Sequence, residues 1–149
     1  MIIRRLDRGD LRDLTALYQH LHAADDPTPD ESVLTSVWDE LMSDDRYRYF
    51  GGFLEGELVS SCALTIIPNL TRGCRPYGLI ENVVTHVRYR RRGYAKALLS
   101  RALAEAWAEN CYKVMLLTGR KDDATLRFYQ SAGFDPHEKR AFIAKPDGK

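Results

Sequence analysis

The chain has 149 residues, of which 44% are hydrophobic and 29% charged, as expected for one soluble globular domain over residues 1–149. A formal net charge of +1 argues against a general attraction to nucleic acid or to a membrane surface, and the apolar runs are too short to cross a bilayer. Three cysteines at spacings that match no zinc or redox motif predict free thiols, a cytoplasmic location and no metal site.

Hydrophobic periodicity predicts an alternation of strands and helices along the chain. The predicted elements of the first half are a strand over 2–6, helices over 11–24 and 33–42, and strands over 47–54, 58–67 and 77–87. Those of the second half are a helix over 93–110, a buried strand over 113–118, a helix ending at 132, and two strands within 134–144.

The resulting order, β-α-α-β-β-β-α-β-α-β-β, predicts an α/β (α+β) fold. We expect a mixed central sheet of about six to seven strands, antiparallel at one end, with helices on both faces. The strands before and after the 93–110 helix form a β-α-β crossover, so the fourth and fifth strands should be parallel neighbours.

The stretch from Glu81 to Ala95 passes from an apolar strand through a basic turn into a long amphipathic helix. The first N–H groups of a helix have no partners within it, and the helix dipole adds partial positive charge there. Gly93 lies at this junction and lacks the Cβ that would keep a phosphate away from the backbone. The pattern predicts a cradle for a phosphate-bearing cofactor, although a solvated basic turn or a nucleic-acid patch is the alternative reading.

Two motifs in this chain resemble the GCN5-related N-acetyltransferase (GNAT) superfamily. Residues 90–95 read Arg-Arg-Arg-Gly-Tyr-Ala and fit its Arg/Gln-x-x-Gly-x-Gly/Ala signature, between a predicted strand and a predicted helix. Residues 122–134 are similar to its Asn-x-x-Ala-x-x-Phe-Tyr-x-x-x-Gly-Phe segment. The resemblance spans nearly the whole chain and implies an N-acetyltransferase that uses acetyl-CoA as cosubstrate.

The resemblance also implies how CoA is held. Backbone N–H groups of residues 91–96 would receive the pyrophosphate, and basic side chains of the turn could meet the phosphates. The pantetheine arm would enter where a β-bulge splays the preceding strand from the next, and would pair with backbone there. The implied cofactor-binding residues are Val83, Val84, Thr85, Arg90, Arg91, Arg92, Gly93, Tyr94, Ala95, Lys96 and Asp122. Asp122 stands where the family often has an asparagine, and an aspartate only accepts hydrogen bonds.

The same family resemblance indicates two residues, Tyr129 and Glu81, as candidates for proton transfer. Tyr129 would protonate the CoA thiolate, because a phenol with a pKa of about 10 can donate to a thiolate of comparable basicity. Its alternative role is to pack the last helix against the sheet beside Phe128. Glu81 would take a proton from the amine through water, or would instead bind substrate or neighbouring backbone. His86 is an alternative base, since neutral imidazole suits the task.

The acceptor amine is only weakly indicated. Residues 80–84, 111–114 and 128–129 resemble the glucosamine-6-phosphate N-acetyltransferases, but Asn82 stands where that group usually has aspartate. Other aminosugars, small aminoalkyl compounds, amino acids and protein N-termini or lysines stay open. Arg72, Arg75 and Tyr77 could meet an anionic substrate, or could form an exposed loop tip or a subunit contact.

We therefore predict a small-molecule amine as the partner, with neither nucleic acid nor membrane, and no metal. A homodimer is expected because the family often dimerises. A non-catalytic acyl-CoA-binding module and a protein N-acetyltransferase are the alternative functions. The presence of both Glu81 and Tyr129 favours an enzyme.

Overall fold

The computed structural model describes residues 1–22 and 24–148. The chain forms two compact units, Met1–Leu116 and Leu117–Lys149. The first contains a sheet with three α-helices, and the second contains one α-helix in its described part. None of the helices in the described ranges is both long and apolar enough to span a membrane. That residues 1–149 form a single domain stays a prediction.

Five strands form the sheet within the described residues. They are β1 Ile2–Arg5, β2 Tyr47–Leu54, β3 Glu57–Ile67, β4 Tyr77–Thr85 and β5 Val114–Leu116. They lie side by side in sequence order, and all neighbours are antiparallel except β4 and β5, which are parallel. The predicted parallel pairing of the fourth and fifth strands is confirmed.

The predicted strand count is wrong for the described part of the chain. Residues 134–148 contain no strand, so the sheet has five strands there rather than six or seven. A stretch of chain becomes a strand only where a neighbour accepts its backbone hydrogen bonds. The apolar pair of this segment, Phe142 and Ile143, is instead 88% and 69% exposed.

The α-helices are α1 Leu11–Tyr18, α2 Glu31–Met42 and α3 Tyr94–Ala108 in the first unit, and α4 Asp123–Ser131 in the second. α1 ends earlier than the predicted 11–24. Beyond Tyr18 the backbone continues in tighter i→i−3 hydrogen bonds as far as Leu21, and Ala23 lies outside the described residues.

The two faces of the sheet carry different helices. Tyr49 of β2 packs edge-on against Trp38 of α2 with ring centroids 5.0 Å apart, and Val84 of β4 belongs to the same apolar core. On the opposite face α3 packs against β2, β3 and β4, and the Arg101 guanidinium lies 5.7 Å from the Phe50 ring centroid. Consecutive strand residues point to opposite faces, which explains this division. The predicted mixed sheet with helices on both faces is confirmed.

A buried arginine, Arg48, ties α3 to the sheet. Its side chain is 4% exposed and lies 3.3 Å from Glu105 of α3, 2.7 Å from Glu109, the C-cap of α3, and 3.0 Å from Asp45. Glu105 also pairs with Arg5 of β1 at 3.2 Å. A buried charge is tolerated only where it is paired, so this network fixes the position of α3 on β1 and β2.

The three cysteines are free, which confirms the prediction of free thiols. Cys62 and Cys111 are buried, and burial raises the pKa of Cys62 to about 12. Cys74 is exposed in the β3–β4 loop, where Arg72, Gly73 and Cys74 all have left-handed backbone with φ of +56°, +68° and +60°. Two of the three are non-glycine residues, for which this conformation is costly.

Candidate functional site

β4 contains a β-bulge. Ala63 of β3 pairs with Glu81 and Ser61 pairs with Val84, so one residue of β3 faces two residues of β4. The first of these two, Asn82, has a left-handed φ of +53°. A bulge leaves the extra residue out of the ladder and bends the strand. The bulge that the family resemblance implies is present.

The ladder between β4 and β5 is short. It ends at the pair Ile80–Leu116, whereas β4 continues to Thr85. Among the described residues, the part of β4 beyond Ile80 has no ladder partner on the β5 side. An unpaired strand edge presents N–H and C=O groups that an extended ligand can bind. Val83, Val84 and Thr85, which we predict to bind pantetheine, belong to this edge.

A basic turn leads from β4 into α3, and Gly93 is its last residue. Gly93 is the N-cap of α3 with φ of +82°, and Arg91 also has a positive φ of +62°. The Ala97 N–H donates to the Gly93 carbonyl at 3.0 Å. The N–H groups of the three residues before Ala97 therefore lie at the helix N-terminus, where intrahelical acceptors are lacking. This is the geometry of an anion cradle.

The basic side chains of this turn divide into two groups. Arg90 donates to the carbonyl oxygens of Thr85 at 3.1 Å and His20 at 2.8 Å, so it holds the turn against the ends of β4 and α1. Arg91 and Arg92 of the turn, and Lys96 at the start of α3, are exposed and form no ion pair within the described residues, whereas Arg88 lies 3.7 Å from Glu57. The cradle thus carries positive charge that no described carboxylate neutralises, which favours an anionic ligand.

Glu81 lies just before the bulge on the face covered by α1 and α2. It stands opposite Ala63, which stands opposite Tyr49 on β2, so the three side chains project from one face of the sheet. Glu81 is exposed, and its carboxylate has no hydrogen-bond partner among the described residues. A solvated carboxylate at a strand bulge can accept a proton or bind a cationic amine.

His86, the alternative base, takes part in the turn itself. Its Nδ1 accepts a hydrogen bond from the Arg88 N–H at 3.2 Å, and its ring centroid lies 4.0 Å from that of His20. Burial, and then the nearby His20 and Arg88, lower the pKa of His86. The imidazole is therefore held in the neutral form that caps the short 3₁₀ helix Val87–Tyr89. This arrangement favours a structural role over that of a base.

In the second unit Asp122 is the N-cap of α4. Its carboxylate accepts from the Thr125 N–H at 3.0 Å and from the Arg120 guanidinium at 2.9 Å. The hydrogen bonds from Thr125, and then that from Arg120, lower the pKa of Asp122 to about 2. A contact of Asp122 with the cofactor stays a prediction.

Tyr129 lies in α4 between two aromatic neighbours. Its ring centroid is 4.9 Å from that of Phe128 and 6.3 Å from that of Phe134. Its carbonyl accepts from the Phe134 N–H at 3.1 Å across Gly133, whose φ of +99° ends the helix as predicted. Aromatic packing within its own unit therefore orients Tyr129, and its role as an acid stays a prediction.

Two buried polar groups on the α1–α2 side are not evident from the sequence. Tyr18 Oη and Ser61 Oγ are buried and make no hydrogen bond with any described residue. Burial raises the pKa of Tyr18. The side chain of Asn82 in the bulge lies close to the Tyr18 hydroxyl, and this interaction lowers the pKa and so offsets part of the rise. Helical spacing from Leu11 and Leu14 places Tyr18 on an apolar helix face. The only sequence indication of a further role is that a buried tyrosine hydroxyl still requires a hydrogen-bond partner.

Comparison with known proteins identifies the family. The profile of the acetyltransferase (GNAT) family matches residues 11–134. A glucosamine 6-phosphate N-acetyltransferase of Trypanosoma brucei brucei is 40% identical over 85 residues. That match covers 57% of this chain and 56% of the relative, so the chain spans just over half the length of this curated relative.

Solved structures have the same fold over nearly the whole chain. One, from Agrobacterium tumefaciens str. C58 and named as a candidate acetyltransferase, is 39% identical with a TM-score of 0.89, covering 97% of this chain and 100% of that one. Another, a Trypanosoma brucei acetyltransferase, is 30% identical with a TM-score of 0.78 and covers 97% and 99% of the two chains.

Proposed function

Because this chain belongs to the acetyltransferase (GNAT) family, we propose that it transfers the acetyl group of acetyl-CoA to the primary amine of a small molecule. The observation that carries the proposal is the order of three features along β4 and into α3. A bulge, an unpaired strand edge and a helix N-terminus follow one another in a single stretch of chain. Such a sequence of features suits a ligand with an acyl group, an amide-bearing arm and a pyrophosphate.

On the donor side, backbone rather than side chains would hold the cosubstrate. The free edge of β4 at Val83, Val84 and Thr85 would pair with the amides of pantetheine. The N–H groups at the start of α3 would receive the pyrophosphate, with Arg91 and Lys96 adding charge. Gly93 permits the left-handed turn that aims these groups outward.

The reaction is a direct transfer in the proposed scheme. The amine nitrogen forms a bond to the acetyl carbon, and the carbon–sulfur bond breaks. Before attack the ammonium gives one proton to Glu81 through water. As the carbon–sulfur bond breaks, the thiolate of CoA takes one proton from the Tyr129 hydroxyl. The second proton that the nitrogen loses on becoming an amide restores that hydroxyl through solvent, and Glu81 returns its proton to water. The exposed, unpaired carboxylate of Glu81 supports its proposed role as the base. The proposed role of Tyr129 as the acid rests on the resemblance of residues 122–134 to the family motif.

Thiol release on mixing acetyl-CoA with a panel of amines tests the proposal. We expect CoA to appear only when an acceptor amine is present. Tyr129→Phe should lower kcat about tenfold or more while acetyl-CoA affinity stays unchanged. Phe128→Leu on the same helix is the control for packing. Unchanged kcat in Tyr129→Phe would remove the acid role.

The competing interpretation is a module that binds acyl-CoA without transferring it. In that case CoA would bind with normal affinity, yet no amine of the panel would release thiol. Calorimetric titration of CoA beside the release assay therefore distinguishes the enzyme from the binding module.

A further inference from the structure

An apolar cavity of about 310 Å³ lies on the α1–α2 face of the first unit. α1, α2, Pro29 and β2 enclose it, with Tyr18, Leu34, Val37 and Tyr49 among the lining residues. No charged side chain lines it within the described residues. A volume of this size is typical of a small-ligand pocket. A phosphate placed here would lose its hydration without gaining a cationic partner.

The cavity is adjacent in the sheet to the candidate base. Tyr49, which lines the cavity, stands opposite Ala63, and Ala63 stands opposite Glu81. Neighbouring strands are about 4.8 Å apart, so Glu81 lies roughly 10 Å from Tyr49 along the same face. The residue between them, Ala63, is buried, so atoms of the same apolar layer cover β3 between the cavity and Glu81.

Tyr18 connects the cavity to the bulge. Its hydroxyl oxygen is buried and makes no hydrogen bond of good geometry with any described residue, although the side chain of Asn82, next to Glu81, is close enough to interact with it. Ser61 Oγ on the same face of the sheet is equally unpartnered. Buried polar groups without partners are rare in folded proteins, and a bound water, an ion or a catalytic role commonly accounts for them.

We propose that this cavity holds the apolar part of the acceptor and that the Tyr18 hydroxyl accepts a hydrogen bond from its amine, beside Glu81. The inference rests on the proposed acetyltransferase function and names the substrate class. The acceptor is a primary amine with an aromatic or branched aliphatic group of about six to eight carbon atoms, and not an aminosugar phosphate.

Steady-state rates with a matched set of amines test the substrate class. The probes are ethylamine, n-butylamine, 2-phenylethylamine and glucosamine 6-phosphate, each with saturating acetyl-CoA. We expect kcat/KM to rise about fourfold for each buried methylene until the cavity is filled. We also expect 2-phenylethylamine to exceed glucosamine 6-phosphate at least tenfold. A preference for glucosamine 6-phosphate would overturn the inference and leave the acetyltransferase function intact.

Filling the cavity tests its location. Leu34→Trp should raise KM for 2-phenylethylamine about tenfold or more, while KM for acetyl-CoA stays unchanged. Ser36→Trp, on the exposed side of α2 and outside the cavity, is the matched control. If Leu34→Trp fails to fold, Val37→Phe places extra volume in the same cavity from a half-exposed position. An unchanged KM for 2-phenylethylamine in the folded variant would place the acceptor elsewhere.

The hydroxyl of Tyr18 is tested by Tyr18→Phe. We expect kcat/KM for both ethylamine and 2-phenylethylamine to fall about fivefold, with acetyl-CoA KM unchanged. Tyr47→Phe on β2, outside the cavity, should have no such effect. Equal rates in Tyr18→Phe and the parent would remove Tyr18 from the acceptor site. Thiol release from no amine at all, with CoA still bound, would overturn the acetyltransferase function itself.

Discussion

Glu81 illustrates how a strand bulge gives one side chain a particular environment. Without the bulge, Val83 rather than Val84 would share the face of Glu81 and would take the place of Val84 in the apolar core under α1. The extra residue lets β4 keep Val84 in the core while Glu81 stays in solvent. The carboxylate thus lies at the border of the core and is exposed to solvent.

Glu81→Gln tests the role of this carboxylate. We expect kcat to fall about a hundredfold because the amide cannot accept the proton, while acetyl-CoA KM stays the same. The loss should be largest near neutral pH and shrink at high pH, where the amine is already neutral. A pH–rate profile of parent and variant measures this. A parallel His86→Gln variant with the same loss would indicate that the imidazole is the base.

Single residues were predicted unevenly from the sequence. Local motifs mark Gly93 and Asp122 as candidates, and the structure places both at helix N-caps, while their contacts with the cofactor stay predictions. Arg90 was assigned to the phosphates, whereas its guanidinium also binds two carbonyl groups, one of them on a residue seventy positions away. Tyr18 was missed as a site residue for the same reason, since its surroundings come from distant parts of the chain.

At the scale of elements, the turn between β4 and α3 is the most constrained feature. Two residues of it, Arg91 and Gly93, are left-handed, and the His86 cap and the Arg90 bonds hold its start. A helix N-terminus binds an anion well only where the preceding turn keeps its N–H groups accessible. The turn therefore has a preformed shape before any ligand arrives.

Substitutions at Gly93 distinguish the effect of backbone conformation from the effect of side-chain packing. A Cβ there would meet nothing within 4 Å, so the protein interior does not resist a side chain. Gly93→Val should nevertheless destabilise the fold by about 1–2 kcal/mol and weaken CoA binding at least tenfold, because a β-branched residue strains at positive φ. Gly93→Asn should retain more of both, since asparagine tolerates this conformation. Thermal unfolding and CoA titration measure the two effects, and normal CoA affinity in Gly93→Val would refute the cradle.

The cap of α4 predicts a pH-dependent stability. The pKa of Asp122 is lowered to about 2 in the fold against about 3.9 when unfolded, so its contribution is complete above about pH 5 and is lost progressively as the pH falls to about 1. Asp122→Ala should lower Tm by about 3 °C at pH 7, and the difference should shrink steadily from about pH 5 to pH 2. Asp122→Asn keeps a capping oxygen and should lose less at pH 7. A constant difference between parent and Asp122→Ala across this range would contradict the cap.

At the scale of the whole molecule, the first unit is a sheet with an apolar core on one face and a charged anchor within the other. The α1–α2 side is held by burial of Leu14, Leu17 and Trp38. The α3 side adds the Arg48 network to its apolar contacts. The sequence predicted the layers, because periodicity reports which residues face inward. It did not predict that residues 134–148 contain no strand, because hydrophobic periodicity does not show whether a segment has a strand to pair with. The homodimer stays a prediction.

The network around Arg48 provides a test of how α3 is fixed. Glu105→Gln removes a carboxylate that is 21% exposed and shared by several arginines, leaving a buried guanidinium less well paired. We expect a loss of about 1–2 kcal/mol. Asp45→Asn removes a carboxylate that is 74% exposed and should cost less than about 0.5 kcal/mol. Chemical unfolding compares the two, and equal losses would show that burial does not control the network.

Cys74 is exposed whereas Cys62 and Cys111 are buried, so the three thiols differ in their accessibility to reagents. A disulfide reagent used to detect free CoA would also react with Cys74, while burial protects Cys62 and Cys111. Cys74→Ser would therefore remove the background from thiol-release measurements. Conversely, a maleimide dye added to the parent protein would attach at Cys74 alone. Such a dye would report on the strained β3–β4 loop from one defined point on the surface.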